Sequence, residues 1–261
     1  MPNLKMITRI KHCFNFTLHL SGFKRSLLNN LKLFLFFPAL LSVVGWGPFS
    51  YFFPTNNEPI GTRAWLETEL SIINSQAGNF NPAVVRLSLM AYAKAYNSGY
   101  PAKPILTVID YSKPSTERRL LVVDLHRHKV LFNTYVSHGK NSGKMQATSF
   151  SNQPGSLKSS LGVFLTENSY VGSNGYSLRL VGLEHGVNDN AYRRAIVVHG
   201  AWYVNSDVIR KYGQLGRSWG CPAVSDNLAR PLIDTIKGRS LVFVYSNNDR
   251  GWLRHSSFLT G

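Results

Sequence analysis

The rhythm of apolar and polar positions changes twice along this chain. From Leu33 to Phe53 no residue is charged, and 21 such residues are about enough to cross a bilayer core of roughly 30 Å as a helix. From Arg63 to Ala77 the apolar positions Trp65, Leu66, Leu70, Ile73 and Ala77 return at helical spacing. A second helix is predicted from Ala83 to Tyr96, with Asn81 as its N-cap, Pro82 in its first position and Gly99 as its stop. Its charged residues, Arg86 and Lys94, fall on one narrow face, so most of it should be buried. Beyond Pro104 the pattern shortens to strands. Ile105–Tyr111, Arg119–Leu125, Val130–Val136, Gly162–Thr166, Ser177–Val181, Ala195–His199 and Leu241–Tyr245 are rich in β-branched and aromatic residues, and turn clusters separate them. A further helix is expected near Leu228–Lys237. Helices first and strands afterwards argue for an α+β chain, mainly β with flanking helices.

This pattern divides the chain into a basic N-region (1–32), an apolar segment (33–53), a linker and helical lead-in (54–104), a β-rich domain (105–246) and a C-terminal tail (247–261). The linker character of Pro54–Thr62 comes from its turn formers.

Charge sharpens the reading of the first two segments. The chain carries 29 Lys and Arg against 13 Asp and Glu. Lys5, Arg9, Lys11, Lys24, Arg25 and Lys32 precede the apolar segment, and no acidic residue comes before Glu58. The excess of positive charge on one flank places residues 1–32 in the cytoplasm and the bulk of the chain outside. Gly45-Trp46-Gly47 is followed by Pro48, which opposes cleavage, so a signal anchor is expected, with a cleaved signal peptide as the alternative. Setting the six leading cations aside still leaves 23 against 13, a surface suited to an anionic membrane or wall polymer. No zinc finger, RNP motif or clustered basic helix is present, so nucleic acid is not the expected partner.

That topology leaves Cys13 in the cytosol and Cys221 alone outside, without a partner for an internal disulfide. Cys221 closes the run Gly216-Arg217-Ser218-Trp219-Gly220-Cys221-Pro222, and Val197-Val198-His199-Gly200 lies upstream. A thiol needs a neighbour that stabilises thiolate, and histidine both pairs with the thiolate and protonates a leaving amine. Of His138, His185 and His199, the last is preferred because it ends an apolar strand beside a glycine. Ser218 can orient the imidazole or the substrate. Gly220 lets the backbone turn so that the Gly220 and Cys221 amides can meet an oxyanion. His126 and His128 alternate on a strand and are expected to face solvent. One cysteine with scattered histidines lacks the paired spacing of a zinc site, so no metal is expected.

His199-Gly200 followed by Ser218-Trp219-Gly220-Cys221 resembles the signature of the YkuD-type L,D-transpeptidases, and more closely their divergent murein L,D-transpeptidase branch. The resemblance covers roughly residues 80–246. It takes in Thr107–Tyr111, Ser137–Gly143, Ala147–Asn152, Ser159–Gly162 and Gly182–Asp189 in order. It implies a sandwich-like β domain in which Cys221 attacks the third stem residue of peptidoglycan, meso-diaminopimelate, and expels D-Ala. His199 would be general base and acid, its other ring nitrogen held by a backbone carbonyl such as that of Gly200, with Ser218 in support. The thioacyl group would pass to an amine, or to water in an L,D-carboxypeptidase. A murein-binding protein without turnover is the third reading. No cofactor is implied, a monomer is expected, and the catalytic domain would lie in the cell envelope, periplasmic or otherwise extracytoplasmic, anchored or secreted.

Two positions depart from the better-studied branch: Trp219 stands for a histidine and Ala223 for an arginine. Arg217, with Arg193 and Arg179 as weaker candidates, is expected to bind the diaminopimelate carboxylate. Trp219 could form a stacking wall or pack in the core, and His138 could line the cleft or hold a turn.

Overall fold

The computed structural model describes residues 58–260, so the basic N-region and the apolar segment at 33–53 lie outside the described residues. Among those described, no helix is long and apolar enough to cross a membrane.

Helix α1 (Arg63–Gln76) starts where the Thr62 hydroxyl accepts from the Trp65 amide at 3.1 Å. Helix α2 (Pro82–Asn97) is capped by Asn81, whose side-chain oxygen accepts from the Ala83 amide, with Pro82 in the first turn. The strands are β1 (Ile105–Asp110), β2 (Leu120–Asp124), β3 (Lys129–Thr134), β4 (Gly162–Gly172), β5 (Gly175–Gly182), β6 (Val197–Gly200), β7 (Ala223–Val224) and β8 (Leu241–Tyr245). Helices α3 (Ser206–Tyr212) and α4 (Asp226–Ile236) flank β7 in the chain.

Hydrogen bonds join all eight strands into one mixed sheet, in the order β3-β2-β1-β8-β4-β5-β6-β7. The pairs β1·β8 and β6·β7 are parallel and the others antiparallel. β1, β2 and β8 are buried along their whole length, which is why they read as continuous apolar runs. The helical lead-in is part of the same core: Trp65, Ile73, Val85 and Leu89 join Leu106, Phe164 and Phe243 in one cluster. The tail packs there too, with the Trp252 ring 5.9 Å from Phe243 and Phe258 5.7 Å from Tyr100.

Some boundaries differ from the pattern. β4 continues past Thr166 to Gly172 because its polar half pairs with β5 in a hairpin, with a register shift between Thr166 and Ser169. His126 and His128 sit in the turn between β2 and β3 rather than on a strand. His128 has φ 53° and its Nδ1 meets the buried Glu69 carboxylate at 2.8 Å, whereas His126 is exposed.

Candidate active site

One edge of the sheet is β7, and the two candidate reacting residues lie near it: His199 on the neighbouring β6, Cys221 in the loop that leads into β7. His199 pairs with Ser177 of β5 on one side and with Ala223 of β7 on the other. Cys221 precedes Ala223 by two residues, which is roughly 7 Å along an extended chain. Pairing therefore brings the two within one short step of the sheet. Sequence separates them by a long connection, residues 201–217, which carries α3.

The imidazole is fixed. A carbonyl can only accept, so the 2.7 Å contact between His199 Nδ1 and the Gly200 oxygen puts the proton on Nδ1 and leaves Nε2 as the basic nitrogen. Gly200 also lets α4 approach, since a Cβ there would lie 2.7 Å from an Asp226 carboxylate oxygen. Burial lowers the pKa of His199, while the Gly200 carbonyl and Asp226 oppose the shift.

A second set of backbone bonds builds the cysteine loop. The segment Ser137–Lys140 runs beside Ser218–Ala223, through Ser137 N to Ala223 O, Ser218 N to His138 O and Lys140 N to Ser218 O, at 2.8, 3.0 and 2.8 Å. Gly139 and Gly220 meet backbone to backbone: a Cβ on Gly139 would lie 2.9 Å from the Gly220 Cα. Gly220 has φ +127°, and a Cβ there would lie 2.8 Å from the Lys158 carbonyl. Ser159 Oγ ties the pair together by accepting from Gly139 N and donating to Gly220 O. These contacts require glycine at both positions.

The structure gives Ser218 a different partner from the one expected. Its hydroxyl donates to the Cys221 carbonyl at 2.6 Å and accepts from the Gly220 amide at 3.1 Å. It braces the loop rather than touching the imidazole, because three residues of tight turn fold it back on its own backbone. The Gly220 amide is thereby occupied, so the expected oxyanion role passes away from it. Gly200 meets the imidazole through its carbonyl.

Cys221 is 9% exposed, and its thiol donates to the Ala195 carbonyl at 3.5 Å. Among the described residues no hydrogen bond joins the thiol to the imidazole. Burial pushes the thiol pKa up, against the pull of the Val197 amide, Arg194 and its own amide. Burial thus moves both groups toward a neutral thiol and neutral imidazole, not toward a preformed ion pair.

Arg194 was not singled out by sequence. Its guanidinium donates to Ser151 O, Ser160 Oγ, Ser156 Oγ and Lys158 O, and its Nη2 lies 3.5 Å from where a Gly220 Cβ would be. It is a cation held against the cysteine loop by the 151–160 segment. Its only signal in the sequence was a position three residues before the β6 strand.

The other candidates separate clearly. Trp219 is 75% exposed, with Lys140 Nζ 5.8 Å from its ring centre, so it is a surface wall and not core. Arg217 is exposed and spends one guanidinium nitrogen on the Lys140 and Gly143 carbonyls. Arg179 lies between the Tyr170 and Tyr192 rings and Arg193 is exposed. His185 is solvent-facing and paired with Asp189. His138 is buried under the loop, its Nδ1 2.8 Å from Arg119 Nη2, and burial together with that cation lowers it to about 4. It holds the loop from beneath. Among the described residues no group of three or more His, Cys, Asp or Glu is placed to hold a metal ion.

A family model described as L,D-transpeptidase catalytic domain matches residues 76–245. Solved structures similar to the chain include an LD transpeptidase in complex with imipenem (16% identity, TM-score 0.34, covering 54% of this chain and 59% of that one). An L,D-transpeptidase from Mycobacterium smegmatis is similar at 16% identity and TM-score 0.34, covering 54% and 58%. One from Stackebrandtia nassauensis has 12% identity and TM-score 0.32, covering 71% and 80%. The chain thus spans a little under three fifths of the length of the first two. No curated protein matches it.

Proposed function

This chain belongs to the L,D-transpeptidase catalytic domain family, and on that premise we propose that it is a cysteine acyltransferase acting on peptidoglycan stem peptides. The observation that carries the reading is the pairing of β6 with β7. It pairs His199, whose Nδ1 is tied to the Gly200 carbonyl, with Ala223, two residues after Cys221, the one free thiol among the described residues.

In this reading the thiol turns from the Ala195 carbonyl toward His199 when substrate enters. Nε2 takes the thiol proton as sulfur attacks the carbonyl of meso-diaminopimelate in its bond to D-Ala. The Cys221 amide, which already faces its own sulfur, is the donor available to the oxyanion. Collapse expels D-Ala, whose nitrogen receives the proton from His199, and leaves a thioester. An acceptor amine then attacks, gives its proton to His199 and frees the thiol. In this reading exposed Trp219 offers a face for the stem and Arg217 a cation for its carboxylate. The apolar run at 33–53 would carry the domain across the membrane to the wall.

The test is incubation of tetrapeptide muropeptides with wild type and Cys221→Ala. Wild type should yield a crosslinked dimer and free D-Ala, the variant neither, and a carbapenem should add its mass at Cys221. Tripeptide without dimer would mean that water is the acceptor. Turnover by the variant would overturn the cysteine mechanism.

One observation favours a second reading, a murein-binding protein without turnover. The resting thiol is nearly closed to solvent and engaged with Ala195 rather than His199. Sacculus binding without any thioester would select it.

A further inference from the structure

The connection between the two candidate reacting residues forms a groove of its own. An open cleft of ≈ 390 Å³ is lined by residues from this connection, between Trp202 and Arg217, together with Lys140. Its aromatic lining is Trp202, Tyr203 and Tyr212. Trp202 is 71% and Tyr212 60% exposed, whereas Tyr203 packs against the small core of Val204 and Leu215. Gly216 makes the floor. A Cβ there would lie 2.5 Å from the Tyr203 ring, so that ring rests directly on the backbone that leads to Ser218 and Cys221.

None of the described residues lining the groove is acidic, while Lys140 and Arg217 are cationic. The groove therefore offers flat rings for the apolar face of a ring-shaped ligand, together with two cations for its anionic or carbonyl groups. Pyranose rings present such a face through their axial C–H bonds, and exposed Trp and Tyr stack on it.

We infer that this groove is a saccharide-binding subsite that holds the N-acetylated aminosugar strand from which stem peptides hang. The inference rests on the proposed action on peptidoglycan and adds to it a site for the glycan. Two features point to this occupant. The groove is continuous with the cysteine loop through Gly216–Ser218, as a peptide-bearing glycan requires. Its cations, Lys140 and Arg217, also suit the carboxylates of the stem peptides that such a glycan carries. A glycan held here delivers its pendant peptide to Cys221 and raises the local concentration of stem at the thiol.

The test separates sugar from peptide. Chito-oligosaccharide binding to the full chain is measured by tryptophan fluorescence and by calorimetry, and tetrapeptide free of sugar is used for D-Ala release. Trp202→Ala and Tyr212→Ala change exposed rings, and circular dichroism checks their folding. The subsite is supported if the oligosaccharide binds wild type, weakens by roughly fivefold or more in each variant, and free-peptide kinetics stay within about twofold of wild type. KM for intact sacculi should then rise without a matching fall in kcat.

Absence of saccharide binding overturns the inference. So does an equal loss on free peptide, which would make the groove a peptide site, or a variant-induced change in oligomeric state, which would make a second copy the occupant. Saccharide binding that persists while Cys221→Ala still turns over would sink the acyltransferase reading and leave the subsite standing.

Discussion

At the scale of the residue, burial dominates the chemistry. Cys221 and His199 are both pushed toward their neutral forms, and Arg194 is the cation that opposes this at the sulfur. Removing it should raise the thiol pKa further, because the thiolate loses an opposite charge. Arg194→Ala is expected to slow iodoacetamide alkylation of Cys221 at pH 7 by about three- to tenfold, with Arg194→Lys in between. An unchanged pH–rate profile would reduce Arg194 to a packing role. His138 gives a second prediction. Its folded pKa of about 4 lies below the unfolded value of about 6.5, so unfolding takes up a proton between those limits. Stability should be fully present above pH ~6.5 and fall, by up to about 3 kcal/mol, as pH drops toward ~4. Urea unfolding at pH 7 and pH 5 checks this, and His138→Asn should flatten the difference. The motifs made these residue types visible. They did not show which groups each would face, since the partners of Ser218 and His138 come from other segments or from the fold of the turn itself.

At the scale of the element, the cysteine loop is the unit that matters. It has little regular structure of its own, with β7 only two residues long, and is held by the neighbouring Ser137–Lys140 segment and by the Ser218 hydroxyl. Ser218→Ala removes two buried hydrogen bonds and should cost about 1–3 kcal/mol. It should also lower kcat with no movement of the acid limb of the pH profile. A shifted acid limb would restore Ser218 to the imidazole. Most strong elements were legible because period and capping agree, as in α2 with Asn81 and Pro82. α3 was not, because its seven residues bury no side chain and so carry no apolar stripe. β7 was missed for its length, and the second half of β4 for its polar, half-exposed sequence.

At the scale of the whole molecule, the ends of the described chain are tied into one core with the sheet. Trp252, assigned by pattern to a tail, is buried against Phe243, and its indole N–H has no hydrogen-bond partner. Trp252→Ala should therefore destabilise the fold by about 3–5 kcal/mol in denaturant titration. Trp252→Phe, which keeps a ring and removes the unsatisfied donor, should cost far less. A small effect of both would show that the tail adds little to the core. Most element types, the order of helices followed by strands, and the cysteine, histidine and glycine motifs were legible along the chain. Periodicity, caps and motif glycines act over a few residues and are written locally. Packing alone fixes that eight strands share one sheet, that His199 pairs with Ala223, two residues past Cys221, and that Arg194 stands against the cysteine loop. Those facts depend on pairing between segments far apart in the chain, and burial, which sets the charge state of the site, exists only once they have packed.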